Sequence, residues 1–409
     1  MTFFEELKWR GLVKDIAGDD IEKKLNDERI TFYWGTDPTA DCLHIGHYSS
    51  LVTAKRLAKY GHHPILLVGG ATGLIGDPRP TAEREIISYE EVQKNLEGIK
   101  KVVDRLFDGK AEIVNNYDWI KDFDYITFLR DVGKYININY MLNKDIISRR
   151  LETGITYAEF SYTLIQGYDF LKLFRDKNCI MQVEGSDQWG NITTGIELIR
   201  KIEDKEAYAF TMPLVLDANG NKFGKSEGNA LWLDEDKTSS YELYQFFINA
   251  DDSMVEDYLK IFTFLTPEEI IDIMDKHKKE PHLRLAQKTL AREIITDIHS
   301  KESADRAEEI SNILFSGDIS KLTAKEIEGA FRHVPSFDIS NDSLLVDLLV
   351  DNGVCSSKRE AREFLGNGSI TINGERITED KMITKNDFID EKYLVVRRGK
   401  KKYFLGKRV

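Results

Sequence analysis

Over the first half of the chain, short extended apolar runs alternate with segments of helical periodicity. The runs fall at 31–35, 64–69, 111–114 and 179–183, and the helical patterns at 51–58, 92–107, 160–174 and 192–202. This alternation predicts an α/β fold, a Rossmann-like parallel sheet wrapped by helices, occupying 1–232. Ligands of such sheets bind at the carboxyl ends of the strands. From about 239 the strand signals stop, and 241–248, 267–274 and 284–298 read as helices of a separate α-helical domain, bounded as 233–315. The stretch 316–342, with Pro335, Ser336, Asn341 and Asp342, reads as a linker. A small α+β domain is expected over 343–409. It holds a helix near 344–350, a basic helix at 356–364 with Lys358, Arg359 and Arg362, and a strand entering the Asn373-Gly374 turn.

Bulk properties narrow the class. The 409 residues are enough for two or three domains. With 41% hydrophobic and 31% charged residues the chain is ordinary for a globular protein, and no apolar run approaches the ~20 residues of a membrane span. No membrane association is expected, and residues 1–16 are amphipathic rather than a secretory signal, so the cytoplasm is the expected location. Cys42, Cys179 and Cys355 are too widely spaced for a disulfide framework or a zinc knuckle, and no structural metal is expected. A net charge of −13 argues against indiscriminate nucleic-acid binding. Yet the tail carries Arg397, Arg398, Lys400, Lys401, Lys402, Lys407 and Arg408 without an acid, a local patch suited to selective RNA contact.

Two signatures carry candidate chemistry. His44-Ile45-Gly46-His47 follows the first strand and the turn Gly35-Thr36-Asp37-Pro38, so a helix starting near His44 and running to about Tyr60 would aim its N-terminal N–H groups at a bound phosphate. Gly46 would let a base approach the backbone, and the two imidazoles could donate to charge building on phosphate oxygens. Lys222-Phe223-Gly224-Lys225-Ser226 places two ammonium groups and a hydroxyl on a loop able to clamp a triphosphate as it is cleaved. Taken singly, each is also an ordinary solvated surface. In this order the pair resembles the two signatures of class I aminoacyl-tRNA synthetases, His-Ile-Gly-His and Lys-Met-Ser-Lys-Ser, with Phe223 and Gly224 replacing Met and Ser. A third set, Tyr162, Gln166 and Asp169, is spaced i, i+4, i+7 on one helix face opposite Phe160, Leu164 and Leu171. That face reads as the wall of a polar pocket, with Asp77 in the glycine loop 69–78 available to meet an ammonium.

The segments Tyr33-Trp34-Gly35-Thr36-Asp37-Pro38, Asn116-Tyr117-Asp118-Trp119, Phe160-Ser161-Tyr162 and Gly185-Ser186-Asp187-Gln188-Trp189-Gly190-Asn191, with both signatures, resemble the bacterial-type tyrosyl-tRNA synthetases along essentially the whole chain. The resemblance implies ATP-dependent activation of L-tyrosine and its transfer to tRNA(Tyr), with Mg²⁺ accompanying ATP. It implies that Tyr33 and Asp169 hold the phenol, and that Asp77, Tyr162 and Gln166 hold the ammonium. Asp37, Gly185, Asp187 and Gln188 would meet the carboxylate and ribose side of the adenylate. His44, Gly46 and His47 would serve ATP, and Lys222, Lys225 and Ser226 the departing pyrophosphate. Trp34 stands where smaller residues are common, and Arg79 or Arg84 is a further phosphate candidate. A homodimer is implied, with 118–159 near its interface. The last domain resembles a small RNA-binding module shared by a ribosomal small-subunit protein and many pseudouridine synthases, marked by Ser357 to Arg362 and the Asn-Gly strand end, and suited to RNA read by shape and charge. The rivals are the sister enzyme for tryptophan, a non-catalytic RNA-binding protein of the same fold, and a nucleotidylyltransferase.

Overall fold

The computed structural model describes residues 1–78, 87–151, 154–226, 229–399 and 402–409. It contains two compact units, one formed by Met1–Lys237 with Ala250–Leu290, the other by Thr238–Asn249 with Ala291–Val409.

The first unit is built on a six-stranded sheet. Its strands are β1 Ile16–Ala17, β2 Thr31–Thr36, β3 His63–Val68, β4 Glu112–Asn115, β5 Cys179–Gly185 and β6 Tyr208–Met212, in the order β1-β6-β5-β2-β3-β4. All neighbours are parallel except β1 and β6. The run His-Pro-Ile-Leu-Leu-Val in β3 is buried at every position after the first, as a strand covered on both faces requires. After β2 the chain builds β3 and β4 on one side, then returns to place β5 on the other. The β2–β3 ladder continues to Thr36–Val68, whereas the β2–β5 ladder ends at Tyr33–Gln182. The crevice where such a sheet binds ligands therefore opens beyond Tyr33.

Four long helices pack on the sheet, α1 Ile45–Tyr60, α2 Tyr89–Leu106, α3 Tyr157–Lys177 and α4 Trp189–Glu203, and residues of α1 and α3 line the crevice. α3 starts at a capping box formed by Thr156 and Glu159 and ends on left-handed Asn178. Its rear residues Phe170, Leu171 and Leu173 pack with Tyr33, Ile65 and Leu67 of the sheet in one core. α4 lies close against α3 because small residues face each other there. A Cβ on Gly195 would stand 2.9 Å from that of Phe170, and one on Gly167 would stand 3.0 Å from the Thr194 methyl.

Two domain boundaries differ from the sequence expectation. The region 233–315 is not one helical domain, since the helices Val255–Phe262 and Pro267–Lys279 belong to the first unit and Ser240–Ile248 and Lys301–Ser316 to the second. The cause is the apolar face Val255, Tyr258, Leu259 and Phe262, which is buried. The Phe262 ring stacks parallel to Tyr48 of α1, centroids 6.0 Å apart. Nor is 316–342 a linker. It holds the helix Ala324–Ala330, and Ile319, Leu322, Ile327 and Phe331 share a core with Ile389, Val395 and Leu405.

In the first unit a short ladder joins β7 Lys225–Ser226 to β8 Asn229–Ala230. The second unit continues with β9 Ser336–Ile339, β10 Ser343–Leu344, β11 Ile370–Ile372, β12 Glu375–Ile377, β13 Met382–Ile383, β14 Tyr393–Arg398 and β15 Lys402–Arg408. Pro335, Ser336, Asn341 and Asp342 thus punctuate the ends of β9, which pairs in parallel with β15 at the edge of a five-stranded sheet. The expected Asn-Gly turn joins β11 to β12, with Asn373 at φ 49° and Gly374 at φ 93°.

Candidate functional site

A cavity of about 880 Å³ opens at the carboxyl ends of β2 and β5 in the first unit. Tyr162, Gln166 and Asp169 line it together, as their spacing on α3 predicted. Asp169 is buried and accepts from Trp119 Nε1 at 2.8 Å and Asn116 Nδ2 at 3.0 Å. Burial pushes its carboxyl up to about 7, although these two donors pull it back toward the charged form. The Tyr33 hydroxyl is buried without a hydrogen-bond partner, and burial holds it well above the ordinary phenol range, with the Asp169 charge adding to that rise. Gln166 Oε1 and Gln182 Nε2 are likewise buried and unpartnered. An unmatched buried polar atom costs about 1–3 kcal/mol, so three around one cavity point to a polar ligand that satisfies them.

Toward the mouth, Asp77 accepts from Gln188 Nε2 at 3.0 Å and Asn191 Nδ2 at 3.1 Å. Asn191 in turn donates to Gln188 Oε1 at 2.9 Å and accepts from Thr163 Oγ1 at 2.7 Å. This closed network fixes the orientation of the Asp77 carboxylate. Asp37 accepts from Thr72 Oγ1 at 2.6 Å and from the Tyr162 hydroxyl at 2.9 Å. It therefore stands beside Tyr162, whose phenol burial and the Asp37 charge keep protonated. Gly185 and Asp187 line the cavity at the end of β5.

The two signatures, far apart in sequence, are in direct contact. His44 is the N-cap of α1: its Nδ1 accepts from Gly46 N at 3.0 Å, and its own backbone N–H donates to His47 Nδ1 at 3.2 Å. The pair thus forms a capping box made of imidazoles. Because Nδ1 is an acceptor in each ring, the proton of each neutral imidazole sits on Nε2. The rings lie 3.9 Å apart, and a Cβ on Gly46 would stand 2.8 Å from His44 Cε1, so glycine lets the first ring fold over the helix start. The stretch that follows the second signature docks there through the backbone, with Ile45 N donating to Leu231 O at 2.8 Å and Leu233 N to Leu43 O at 2.9 Å. Gly224, at φ 89°, comes so close that a Cβ would collide with Ile45 Cγ2. Phe223 anchors the loop by stacking on Phe262 at 5.0 Å and tilting against Tyr258 at 4.7 Å. This accounts for an aromatic residue where the signature usually has Met. Lys222 lines the cavity, and the backbone of Lys225 and Ser226 forms β7. Trp34 also lines it, its indole N–H donating to Ser50 Oγ at 3.0 Å. Arg79 and Arg84 lie outside the described residues.

Sequence reading gave no role to Thr72, Asn116, Trp119, Gln182, Glu184 or Asn191. For Gln182 and Glu184 a signal existed, since two polar residues at i and i+2 within an apolar strand share one face. For the others no local pattern does, because their partners lie far away in sequence.

In the second unit, Arg359, Arg362 and Lys402 are exposed, as RNA contact requires. Other basic residues are engaged. Lys358 pairs with Asp347 at 2.6 Å, Arg398 donates to Val354 O and lies over Phe364, and the half-buried Arg397 lies over Tyr403. Lys400 and Lys401 are outside the described residues. Among the described residues no group of three metal-ligating side chains occurs, and no helix is long and apolar enough to cross a membrane.

Residues 25–316 match the family model described as tRNA synthetases class I (W and Y), and residues 326–406 match the tyrosine--tRNA ligase SYY-like C-terminal domain. The chain is 51% identical to a tyrosine--tRNA ligase of Bacillus pumilus, covering 98% of each chain. It is 50% identical to that of Geobacillus stearothermophilus, covering 99% of each. Among solved structures it resembles a C-terminally truncated mitochondrial tyrosyl-tRNA synthetase of Aspergillus nidulans, with a TM-score of 0.69 and 34% identity over 77% of this chain and 94% of that one. The chain belongs to the bacterial-type tyrosyl-tRNA synthetases, within the class I tRNA synthetases.

Proposed function

We propose that the cavity joins L-tyrosine to ATP as tyrosyl-adenylate, and that the same site passes the tyrosyl group to the 3′ end of tRNA(Tyr). The observation that carries this assignment is the unpartnered Tyr33 hydroxyl, buried near Asp169 in a cavity whose wall is the junction of the two signatures. A substrate phenol between these groups would donate to Asp169 and accept from Tyr33, matching both. An indole N–H could donate to Asp169 but would leave the Tyr33 hydroxyl without an acceptor, which favours tyrosine over tryptophan.

The ammonium would meet Asp77, Tyr162 and Gln166, with Gln182 close behind. The tyrosine carboxylate then attacks the α-phosphorus in line, the bond to the β-phosphate oxygen breaks, and pyrophosphate leaves. No protein group needs to move a proton in this step. The protein holds the atoms in register and stabilises charge, with the Nε2–H groups of His44 and His47 and the cation of Lys222 facing the phosphates, joined by Lys225 and Ser226. Mg²⁺ would enter with ATP, held chiefly by phosphate oxygens. Gly185, Asp187 and Gln188 would line the adenylate. In the second step a terminal ribose hydroxyl of the tRNA attacks the tyrosyl carbonyl and AMP leaves.

Arg359, Arg362 and Lys402, with the engaged Lys358, Arg397 and Arg398 and the residues Lys400 and Lys401, would carry the RNA contact of the second unit. The enzyme would act as a cytoplasmic homodimer. In support of a dimer, Tyr125, Ile126, Leu129, Ile138, Leu151 and Tyr157 are exposed apolar residues concentrated within 118–159. The function is tested by charging tRNA(Tyr) with labelled tyrosine and ATP. Formation of tyrosyl-tRNA supports it, and tyrosine-independent consumption of ATP without charging would refute it.

A further inference from the structure

Glu184 is a buried carboxyl in the cavity wall to which the reaction above gives no task. It is 6% exposed, stands at the carboxyl end of β5 and lines the cavity with Gly35 and Asp187. One oxygen, Oε1, accepts from the backbone N–H of Gly35. The location explains that bond. The β2–β5 ladder ends at Tyr33–Gln182, so Gly35 N–H, two residues on, has lost its strand neighbour and takes a side chain instead. The second oxygen has no hydrogen bond among the described residues. Burial, with the charges of Asp187 and Asp37 nearby, raises the carboxyl above its usual range, while the Gly35 N–H pulls it back.

Position narrows what that second oxygen can meet. Tyr33, Asp169 and Gln166 belong to the amino-acid end of the cavity, and His44, Gly46 and Lys222 to the phosphate end. Glu184 lies at the split between the strands, where ligands of such sheets sit. The carboxyl oxygen left over there can accept from a sugar hydroxyl, whereas the anionic oxygens of a phosphate offer it no donor.

We propose that Glu184 is a specificity-determining residue that reads a ribose hydroxyl of ATP, holding the opened strand pair with one oxygen and the sugar with the other. This rests on the reading of the cavity as the site of tyrosyl-adenylate formation.

The test is tyrosine-dependent pyrophosphate exchange with ATP, 2′-deoxy-ATP and 3′-deoxy-ATP on the parent and on Glu184→Gln and Glu184→Ala. The parent should prefer ATP over at least one deoxy analogue by about tenfold or more, as a site built to bond a hydroxyl does. Glu184→Ala should lose most of that preference while its KM for tyrosine stays within about twofold, since Tyr33, Asp169 and Gln166 are untouched. Glu184→Gln keeps an oxygen for Gly35 and offers an amide to the sugar, so it should retain most of the preference even if the alanine variant folds poorly. An active Glu184→Ala enzyme with the parent's preference overturns the proposal. So does a raised KM for tyrosine with the preference intact, which would place the carboxyl against the amino acid. Absence of tyrosine-dependent exchange in the parent would instead defeat the underlying reading of the cavity.

Discussion

Replacing Asp169 by Ala tests how the phenol is recognised. The carboxylate accepts from Trp119 and Asn116 and has lone pairs left for a substrate hydroxyl. A hydrogen bond to a charged group contributes about 1.5–3 kcal/mol, so kcat/KM for tyrosine should fall about 10- to 150-fold. Phenylalanine makes no such bond, and the parent's buried carboxylate disfavours it, so its kcat/KM should hold or rise and the ratio of the two should narrow. The Trp119 indole N–H also loses its acceptor, a stability cost of about 1–3 kcal/mol that thermal unfolding would register. Acidity supplies an independent arm. The carboxyl is pushed up to about 7 in the free protein, and a phenol O–H donating to it favours the ionised form. Hence kcat/KM for tyrosine should be level above about pH 7 and fall as pH drops below it, by as much as about tenfold per unit, while Asp169→Asn flattens that limb. Trp119→Phe removes a donor that stabilises the carboxylate and should move the limb to higher pH. A folded Asp169→Ala enzyme with the parent's tyrosine-to-phenylalanine ratio and an unchanged acid limb would refute the assignment.

Gly224→Ala adds a Cβ at φ 89° that collides with Ile45 at the start of α1, and should raise the barrier to adenylate formation by about 1–3 kcal/mol while equilibrium dialysis finds tyrosine affinity unchanged. Arg359→Glu with Arg362→Glu should leave pyrophosphate exchange at the parent's rate and reduce tRNA charging at least about tenfold, measured side by side on one preparation. Ile126→Asp, at a residue 70% exposed within the apolar patch, should shift the protein toward monomer in sedimentation without loss of helicity. Unchanged sedimentation would remove that patch from the dimer contact.

The long periodic elements were legible because one face of each is continuously apolar, as in α3, whose bounds enclose the expected 160–174. The strand β6 was not. Its five residues are all buried, but Thr211 interrupts the apolar run that marked β3, and a short buried strand offers no alternation in its place. The linker expected at 316–342 failed for a related reason, since Pro335, Ser336, Asn341 and Asp342 mark the ends of an edge strand as readily as they mark open chain. At the site, helical spacing sufficed to bring Tyr162, Gln166 and Asp169 together. What holds them came from elsewhere, since Trp119 and Asn116 reach Asp169 across 50 and 53 positions of sequence. Spacing alone did not reveal that Gly224 touches Ile45 either.

Pyrophosphate exchange into ATP, run with each of the twenty amino acids in turn, tests the central claim most directly, because it reads the first chemical step and depends on no RNA. The account predicts exchange with tyrosine, much weaker exchange with phenylalanine and none with tryptophan, since only a phenol satisfies both Asp169 and the Tyr33 hydroxyl. Exchange led by tryptophan, or exchange indifferent to the amino acid, would contradict it.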